Sequence, residues 1–154
     1  MTASDVSLHV KFLRESDDRQ APSRATADSA GLDLRAALEA PSLTIAPGQR
    51  AAVPTGIAIE IGEPGVAGFV FSRSGLGAKR GLTVAQGVGV IDPDYRGEII
   101  VWLFNTSGQP VTIEAGERIA QLVLMPVRTP IVEVVEELGD TARGAGGFGH
   151  TGKA

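Results

Sequence analysis

The sequence predicts an all-β domain: a jelly-roll-like β-clip sandwich or barrel, with at most one short helix and a flexible, glycine-rich C-terminal tail. Short segments rich in β-branched residues, many alternating between apolar and polar, recur along the chain. Glycine and proline contribute 20 and 9 residues, whereas aromatic residues make up only 5%. Many short strands joined by tight turns produce this balance.

The strands are predicted from the N-terminus onward by their composition and alternation. Seven segments qualify: 6–12, 43–47, 57–61, 68–72, 98–104, 111–115 and 119–127. Turn residues separate them, as at Pro47-Gly48, Pro64-Gly65, Asp92-Pro93-Asp94 and Ser107-Gly108. The best helical candidate is a turn or two near 74–79. Because an open sheet of so many strands would leave long unpaired edges, the strands must close or pack as two sheets.

Length and charge limit the function classes. The 154 residues suit one domain, and the absence of cysteine excludes disulfides and thiolate metal sites. Two histidines are too few for a histidine-based zinc site, so any metal must be bound by oxygen. A net charge of −4 argues against general nucleic-acid binding. No apolar run approaches a membrane span and no leader is evident at the start, so we expect a cytoplasmic protein.

The C-terminal segment differs from the rest in composition. Residues 1–138 are predicted to form the jelly-roll domain, and residues 139–154 a mobile lid in which six of sixteen residues are glycine. The lid formally matches G-x-G-x-x-G at 144–149 and G-x-x-x-x-G-K at 147–153. Both motifs need a preceding parallel strand and a following helix, which this terminus does not offer. Rossmann and P-loop interpretations are therefore rejected.

Five segments combine reactive side chains with glycine. They are residues 30–36 (AGLDLRA), 73–77 (RSGLG), 89–98 (GVIDPDYRGE), 116–122 (GERIAQL) and 143–152 (RGAGGFGHTG). Their order, spacing and content resemble the five motifs of the trimeric dUTP pyrophosphatase (dUTPase) family. The resemblance implies a jelly-roll homotrimer with active sites at subunit interfaces and Mg²⁺-dependent hydrolysis of dUTP to dUMP and pyrophosphate. That reaction limits uracil incorporation into DNA and supplies dUMP for dTMP synthesis.

Asp92 is the predicted general base. It lies between an apolar segment and a proline-containing turn, where a carboxylate can be held rigidly and still reach a bound water. By itself the residue could equally cap the turn. The resemblance favours the catalytic role, and it assigns Tyr95 to packing under the deoxyribose, where a 2′-hydroxyl would clash.

The resemblance assigns phosphate binding to two segments. Arg73, Ser74 and Gly75 open a glycine-bearing turn, where a guanidinium, a hydroxyl and backbone N–H groups can converge on phosphate oxygens. Gln121 would donate through its side-chain amide, although a solvated strand glutamine is an ordinary alternative. Arg118 could equally be a structural ion-pair partner and is not assigned to the site.

Asp33 is the predicted metal contact. Without the resemblance it would be a solvated strand residue sharing a face with Arg35. The resemblance places it near Mg²⁺ through water, with the ion mainly on substrate phosphates. Mg²⁺ usually keeps several waters and needs no carboxylate cage.

Uracil recognition is assigned to the hairpin before Asp92. There Gln86, Gly89 and Val90 would meet the base largely through backbone groups, since glycine allows close approach. In the lid, Phe148 would stack on uracil, while Arg143, Gly149 and Thr151 would hold the substrate, mainly its outer phosphates. The lid would close only over a complete triphosphate, because ordering it is costly.

Three positions depart from the commonest family pattern: Ser72 stands where proline often precedes the Arg-Ser pair, His150 replaces a usual serine, and Gln86 stands where some members have asparagine. Three alternatives remain open. A dCTP deaminase-type enzyme would share the fold, but the IDPDYRG segment and the lid favour the pyrophosphatase. A dUTP-binding regulatory protein would bind without turnover, which an intact Asp92 opposes. A purely structural domain leaves Arg143 and Phe148 among glycines unexplained.

Overall fold

The computed structural model describes residues 6–14 and 20–147, which form eleven strands and one short π-helical segment. The strands are β1 Leu8–Phe12, β2 Leu32–Arg35, β3 Ser42–Ile45, β4 Arg50–Pro54, β5 Ile57–Ile61, β6 Val66–Ser72, β7 Leu82–Val84, β8 Gly89–Ile91, β9 Ile100–Asn105, β10 Val111–Glu114 and β11 Arg118–Pro126. The π-helical segment spans Gly75–Arg80. Within the described ranges, no helix is long and apolar enough to cross a bilayer.

All strand pairs are antiparallel. One sheet has four strands in the order β2-β11-β6-β8, and a second has three in the order β4-β9-β7. Two ribbons, β1-β5 and β3-β10, complete the described strands. Because these sheets stay separate and do not close on themselves, the all-β prediction is confirmed in its sandwich form and not as a barrel.

A single apolar core joins the two larger sheets. Leu34, Val70 and Leu122 come from the four-stranded sheet, while Val53 and Leu103 come from the three-stranded one, and each is at most 4% exposed. Burying side chains of this size stabilises a fold by about 1.5–3 kcal/mol each. Alternation along β9 and β10 sends every second residue inward, so the residues between them are left nearer the surface.

The predicted helical turn near 74–79 is confirmed, one residue later. Leu76 is buried and fixes the π-helical segment to the core. The segment ends at Gly81, whose φ of 67° lies in the left-handed region that favours glycine. Arg80 then donates to the Glu117 carboxylate and to the carbonyl of Thr112. The segment that follows β6 is therefore tied to the β10–β11 connection.

All seven predicted strand segments coincide with observed strands, and β2, β4, β7 and β8 are additional. Two of these, β4 and β7, flank β9, which pairs with β4 at Ala52↔Trp102 and with β7 at Thr83↔Phe104. β9 therefore lies in the middle of its sheet.

Candidate functional site

A cavity of about 250 Å³ lies between β6, β8 and β9, at one end of the four-stranded sheet. Its floor is apolar, with Val70, Val84, Ile91 and Val101 among the lining residues. Four polar residues lie at its edge: Gln86, Asp92, Tyr95 and Glu98. The structure thus brings Gln86, Gly89, Val90, Asp92 and Tyr95, all predicted site residues, to one cavity.

Strand pairing and a tight turn shape the hairpin side of this cavity. β8 pairs with β6 through Gly68↔Ile91 and Val70↔Gly89. A Cβ added at Gly89 would lie 3.3 Å from Cβ of Val70 and 3.4 Å from Nε2 of Gln86. The glycine therefore lets the Gln86 amide lie close against the strand. Gly87, with φ of 82°, turns the chain there and donates its N–H to the Val84 carbonyl at 3.0 Å.

Asp92 begins the turn that follows β8. The N–H of Tyr95 donates to the Asp92 carbonyl at 3.0 Å, which closes the turn. The Asp92 side chain is exposed, and its carboxylate makes no hydrogen bond or ion pair with any residue the structure describes. A rigid backbone therefore presents a carboxylate whose lone pairs are available to water at the cavity mouth.

Arg96 holds the same turn from outside. Its guanidinium donates to the carbonyls of Pro93 at 2.8 Å and Tyr95 at 3.1 Å, and to Glu60 on β5 at 3.1 Å. His9 on β1 also contacts Glu60, at 3.1 Å. The hydrogen bond with His9 and the positive charge of Arg96 hold the pKa of the Glu60 carboxyl below its usual value.

Tyr95 folds back over the turn. Its hydroxyl donates to the Glu98 carbonyl at 3.0 Å, and 44% of the residue remains exposed. The Glu98 carboxylate accepts from the backbone N–H of Gly56 at 2.8 Å and lies 3.7 Å from Arg14. Glu98 thus links the Tyr95 turn to the β4–β5 connection.

A second group of predicted site residues lies at the other end of β6. Asp33 accepts from Nε of Arg73 at 2.8 Å through one carboxylate oxygen, and from Arg118 at 2.9 Å through the other. Its side chain is 12% exposed. Arg73 also donates to the Arg118 carbonyl at 3.3 Å. Here one carboxylate from β2 pairs with two arginines, at the ends of β6 and β11, so Arg118 is an ion-pair partner and the cluster keeps a net positive charge.

Gln121 and Ser74 flank this ion-pair cluster. The Gln121 amide donates to the Ser72 carbonyl at 3.1 Å, and a Cβ added at Gly31 would lie 2.5 Å from its oxygen. Gly31 therefore makes room for the Gln121 side chain. Ser74 and Gly75 are exposed at the start of the π-helical segment, and nothing lies within 4 Å of a Cβ added at Gly75. The turn is open to a ligand.

Asp92 and Arg73 are far apart within one chain. Gly68 pairs with Ile91, so Asp92 lies level with Ala67, six residues before Arg73 on β6. At about 3.3 Å per strand residue, this separates their backbones by roughly 20 Å. The Arg73 guanidinium also points toward β2, on the opposite side of β6 from β8. One chain therefore does not bring Asp92 and Arg73 together.

The predicted lid lies only partly within the described residues. Every residue from 128 to 145 is exposed, and none belongs to a strand or helix. Arg143 donates from Nε to the Gly146 carbonyl at 2.8 Å. Phe148, Gly149 and Thr151 lie outside the described residues, as does His150.

Sequence reasoning gave no role to Arg96, Gly97 or Glu98, although all three belong to a segment it selected. Their contacts depend on side chains returning to nearby carbonyls, and residue type alone does not specify this. The Arg-Gly-Glu run directly after the tyrosine was the available signal.

The oxygen donors of the site can be compared with those that a bound metal ion requires. Within 6–14 and 20–147, no three histidine, cysteine, aspartate or glutamate side chains are grouped to hold an ion. Both Asp33 oxygens already accept from arginines, so Asp33 would meet a metal only through its water. This donor set fits an ion carried on a ligand's phosphates and not one held in a protein cage.

The β-sandwich and the cavity edged by an unpaired carboxylate define a small jelly-roll protein with the site chemistry of a hydrolase. The dUTPase family model matches residues 17–152. A curated relative, the deoxyuridine 5'-triphosphate nucleotidohydrolase of Xanthomonas oryzae pv. oryzae (strain PXO99A), is 47% identical over 154 residues, covering 99% of each chain. The chain therefore belongs to the dUTPase family.

Solved dUTPase structures are similar to this chain in fold. A mutant dUTPase of Staphylococcus bacteriophage 80alpha, determined with dUpNHpp, matches with a TM-score of 0.81 and 29% identity over 96% of this chain and 99% of that one. A mutant dUTPase from phage phi11 of S. aureus matches with a TM-score of 0.73 and 26% identity over 87% and 99%. Its description names the coordination of a structural Mg(II) ion.

Proposed function

We propose that the chain hydrolyses dUTP to dUMP and pyrophosphate, with Asp92 as the general base. The observation that carries the proposal is the unpaired Asp92 carboxylate at the mouth of a cavity that also presents Gln86 and Tyr95. About 250 Å³ suits a base with its sugar better than a complete nucleotide. The triphosphate would then extend past Asp92 toward groups outside the cavity.

The proposed step is an in-line displacement at the α-phosphorus. Asp92 accepts a proton from a water, whose oxygen forms a bond to that phosphorus as the bond to the α–β bridging oxygen breaks. Pyrophosphate leaves with the bridging oxygen, and dUMP keeps the new one. A positioned base contributes about 10²–10⁴ in rate. Mg²⁺ bound to the phosphates would reduce their charge and help align the attack.

In this proposal the ion-pair cluster binds the phosphate chain. Arg73, Ser74 and the backbone of Gly75 would donate to phosphate oxygens, assisted by the Gln121 amide. Asp33 would keep the Arg73 guanidinium oriented and accept from water on the metal. Since Asp33 offsets only one of the two positive charges of Arg73 and Arg118, the cluster keeps a net positive charge that favours an arriving phosphate.

We also propose that the active form is a homotrimer with interfacial sites. Because roughly 20 Å separates Asp92 from Arg73 within one chain, a site that uses both needs the Arg73 of a second copy. Exposed apolar side chains after β11 support association: Ile131, Val132, Val134, Val135 and Leu138, each at least 56% exposed. Side chains of this kind are normally buried against a partner. The lid would come from a further subunit.

The expected biological role follows from the proposed reaction. Removal of dUTP would limit uracil incorporation into DNA, and its product would supply dTMP synthesis in the cytoplasm. We infer no nucleic-acid or membrane partner, in keeping with the net charge of −4.

The test is a product analysis. The purified chain is incubated with Mg²⁺ and dUTP, dCTP, UTP or dTTP, and the products are separated by chromatography. We expect dUMP and pyrophosphate from dUTP and much slower turnover of the other three. Release of ammonia from dCTP would identify a deaminase instead. Tight dUTP binding without turnover would identify a regulatory protein.

A further inference from the structure

Gly97 lies under the ring of Tyr95, and its backbone does not explain why a glycine is there. The glycines in the left-handed region among the described residues are Gly48, Gly56, Gly65, Gly81, Gly87, Gly116 and Gly144. Gly97 is not one of them, so its φ is open to any L-residue. What distinguishes the position is the space around it.

The three atoms that would lie nearest to a side chain at this position all belong to Tyr95. A Cβ added at Gly97 would lie 2.5 Å from Cζ and 2.9 Å from Cε2 of Tyr95, and still closer to the hydroxyl oxygen. Carbon atoms in contact normally stay about 3.5–4.0 Å apart. The ring therefore lies directly against the Gly97 backbone, and any β-carbon there would push it away.

Tyr95 is held in this position through its hydroxyl and through its backbone carbonyl. Its hydroxyl donates to the Glu98 carbonyl at 3.0 Å, and Glu98 is anchored by its carboxylate to the N–H of Gly56 at 2.8 Å. At the other end, Arg96 donates to the Tyr95 carbonyl at 3.1 Å. Because 44% of Tyr95 is exposed, a displaced ring can swing outward without disturbing the core.

We propose that Gly97 is a specificity-determining positioning residue, which sets the location of the Tyr95 ring at the cavity by having no side chain. This inference rests on the proposed function and on the role that the family resemblance assigns to the Tyr95 ring, which is to exclude a ribose 2′-hydroxyl. A ring held flat against the turn closes the space that the hydroxyl would need, whereas a ring lifted by a β-carbon leaves that space open. Gly97 itself touches no substrate.

The test compares Gly97→Ala with Gly108→Ala. Gly108 is a suitable control because nothing lies within 4 Å of a Cβ there and its φ is not in the left-handed region. We expect Gly97→Ala to lower the ratio of kcat/KM for dUTP to that for UTP by about tenfold or more, mainly by improving UTP. The control should keep the ratio of the unaltered protein.

Three further variants make the result specific to the ring. Tyr95→Ala should lower the ratio at least as far, and the double variant Tyr95→Ala/Gly97→Ala should match it without an added effect. Tyr95→Phe, which loses only the hydrogen bond to Glu98, should lower the ratio less. An additive double variant would contradict the inference, since Gly97 would then act without Tyr95.

Ring position can also be read without any assay of activity. Tyr95 is the only tyrosine in the sequence, so 3-fluorotyrosine labelling gives a single ¹⁹F resonance. We expect Gly97→Ala to shift this resonance and Gly108→Ala to leave it in place. An unchanged resonance and ratio in Gly97→Ala, with Tyr95→Ala lowering the ratio, would overturn this inference alone. An unchanged ratio in Tyr95→Ala would overturn the proposed sugar role and the inference with it.

Discussion

Asp92 and Asp33 are carboxylates associated with the same four-stranded sheet, but their surroundings are opposite. Asp92 is exposed and unpaired among the described residues, and it lies in a turn fixed by backbone contacts. Asp33 is 12% exposed and binds two arginines. An unpaired carboxylate can take a proton from water, whereas a doubly paired one serves to orient its partners. In the proposed function, this contrast separates proton transfer at one end of β6 from anion binding at the other.

The largest expected effect comes from Asp92→Asn. The amide cannot accept the proton, so kcat for dUTP should fall by about 10²–10⁴-fold while substrate binding persists. Asp94→Asn, in the same exposed turn, is the matched control and should retain activity. Stopped assays of dUMP formation measure kcat, and calorimetry measures binding. Full activity of Asp92→Asn would show that Asp92 is not the general base.

Removing residues 143–154 tests whether the Asp92 and Arg73 ends of β6 are sufficient for activity without most of the predicted lid. We expect kcat/KM to fall by about 10²-fold or more, because the triphosphate loses positioning contacts. The unfolding temperature should hardly change, since residues 128–145 are exposed and outside the core. A chain ending after Gly152 serves as the control. A truncated protein with full activity would show that the two ends suffice.

The two carboxylates should also differ in how much each contributes to stability. Asp33→Asn leaves two guanidinium groups facing a neutral amide, so the free energy of unfolding should fall by about 1–3 kcal/mol. Asp92→Asn breaks no contact and should stay within about 0.5 kcal/mol of the unaltered protein. Urea unfolding curves measure both. Equal losses of unfolding free energy in the two variants would show that the ion pairs of Asp33 contribute no more to stability than the exposed Asp92 carboxylate.

The smallest effect concerns Glu60, which anchors the Asp92 turn through Arg96. Its pKa is lowered in the folded protein, so its contribution to stability is present above its ordinary pKa of 4.5 and is lost as the pH falls through the folded value. Glu60→Gln should therefore be slightly less stable at neutral pH and equal to the unaltered protein in stronger acid. Unfolding midpoints across pH measure the difference. A difference that grew on acidification would contradict this sign.

Local sequence patterns predicted most of the fold and one end of the site. Gln86, Gly89, Asp92 and Tyr95 lie within ten residues, so a hairpin and a turn suffice to bring them to one cavity. β4 was missed because its Arg-Ala-Ala-Val-Pro sequence has little β-branched content, and β7 and β8 because each has only three residues. The alternation around Asp33 indicated β2 without its bounds.

The ion-pair cluster depends on topology that local patterns do not contain. Asp33, Arg73 and Arg118 are brought together by the strand order β2-β11-β6, in which sequence neighbours are not spatial neighbours. The alternation around Asp33 predicted a shared face with Arg35 but not the partners of either residue, and Arg35 donates to the Gly116 carbonyl at 2.9 Å. The placement of Asp33 near Mg²⁺ through water stays a prediction.

The composite site is tested most directly by mixing two inactive proteins. Asp92→Asn and Arg73→Ala chains are purified separately, unfolded together, refolded and assayed with dUTP. If each site takes Asp92 from one subunit and Arg73 from another, about a quarter of the sites in a random mixture contain both intact residues, and activity should return to that fraction. A mixture as inactive as its two components would contradict the account.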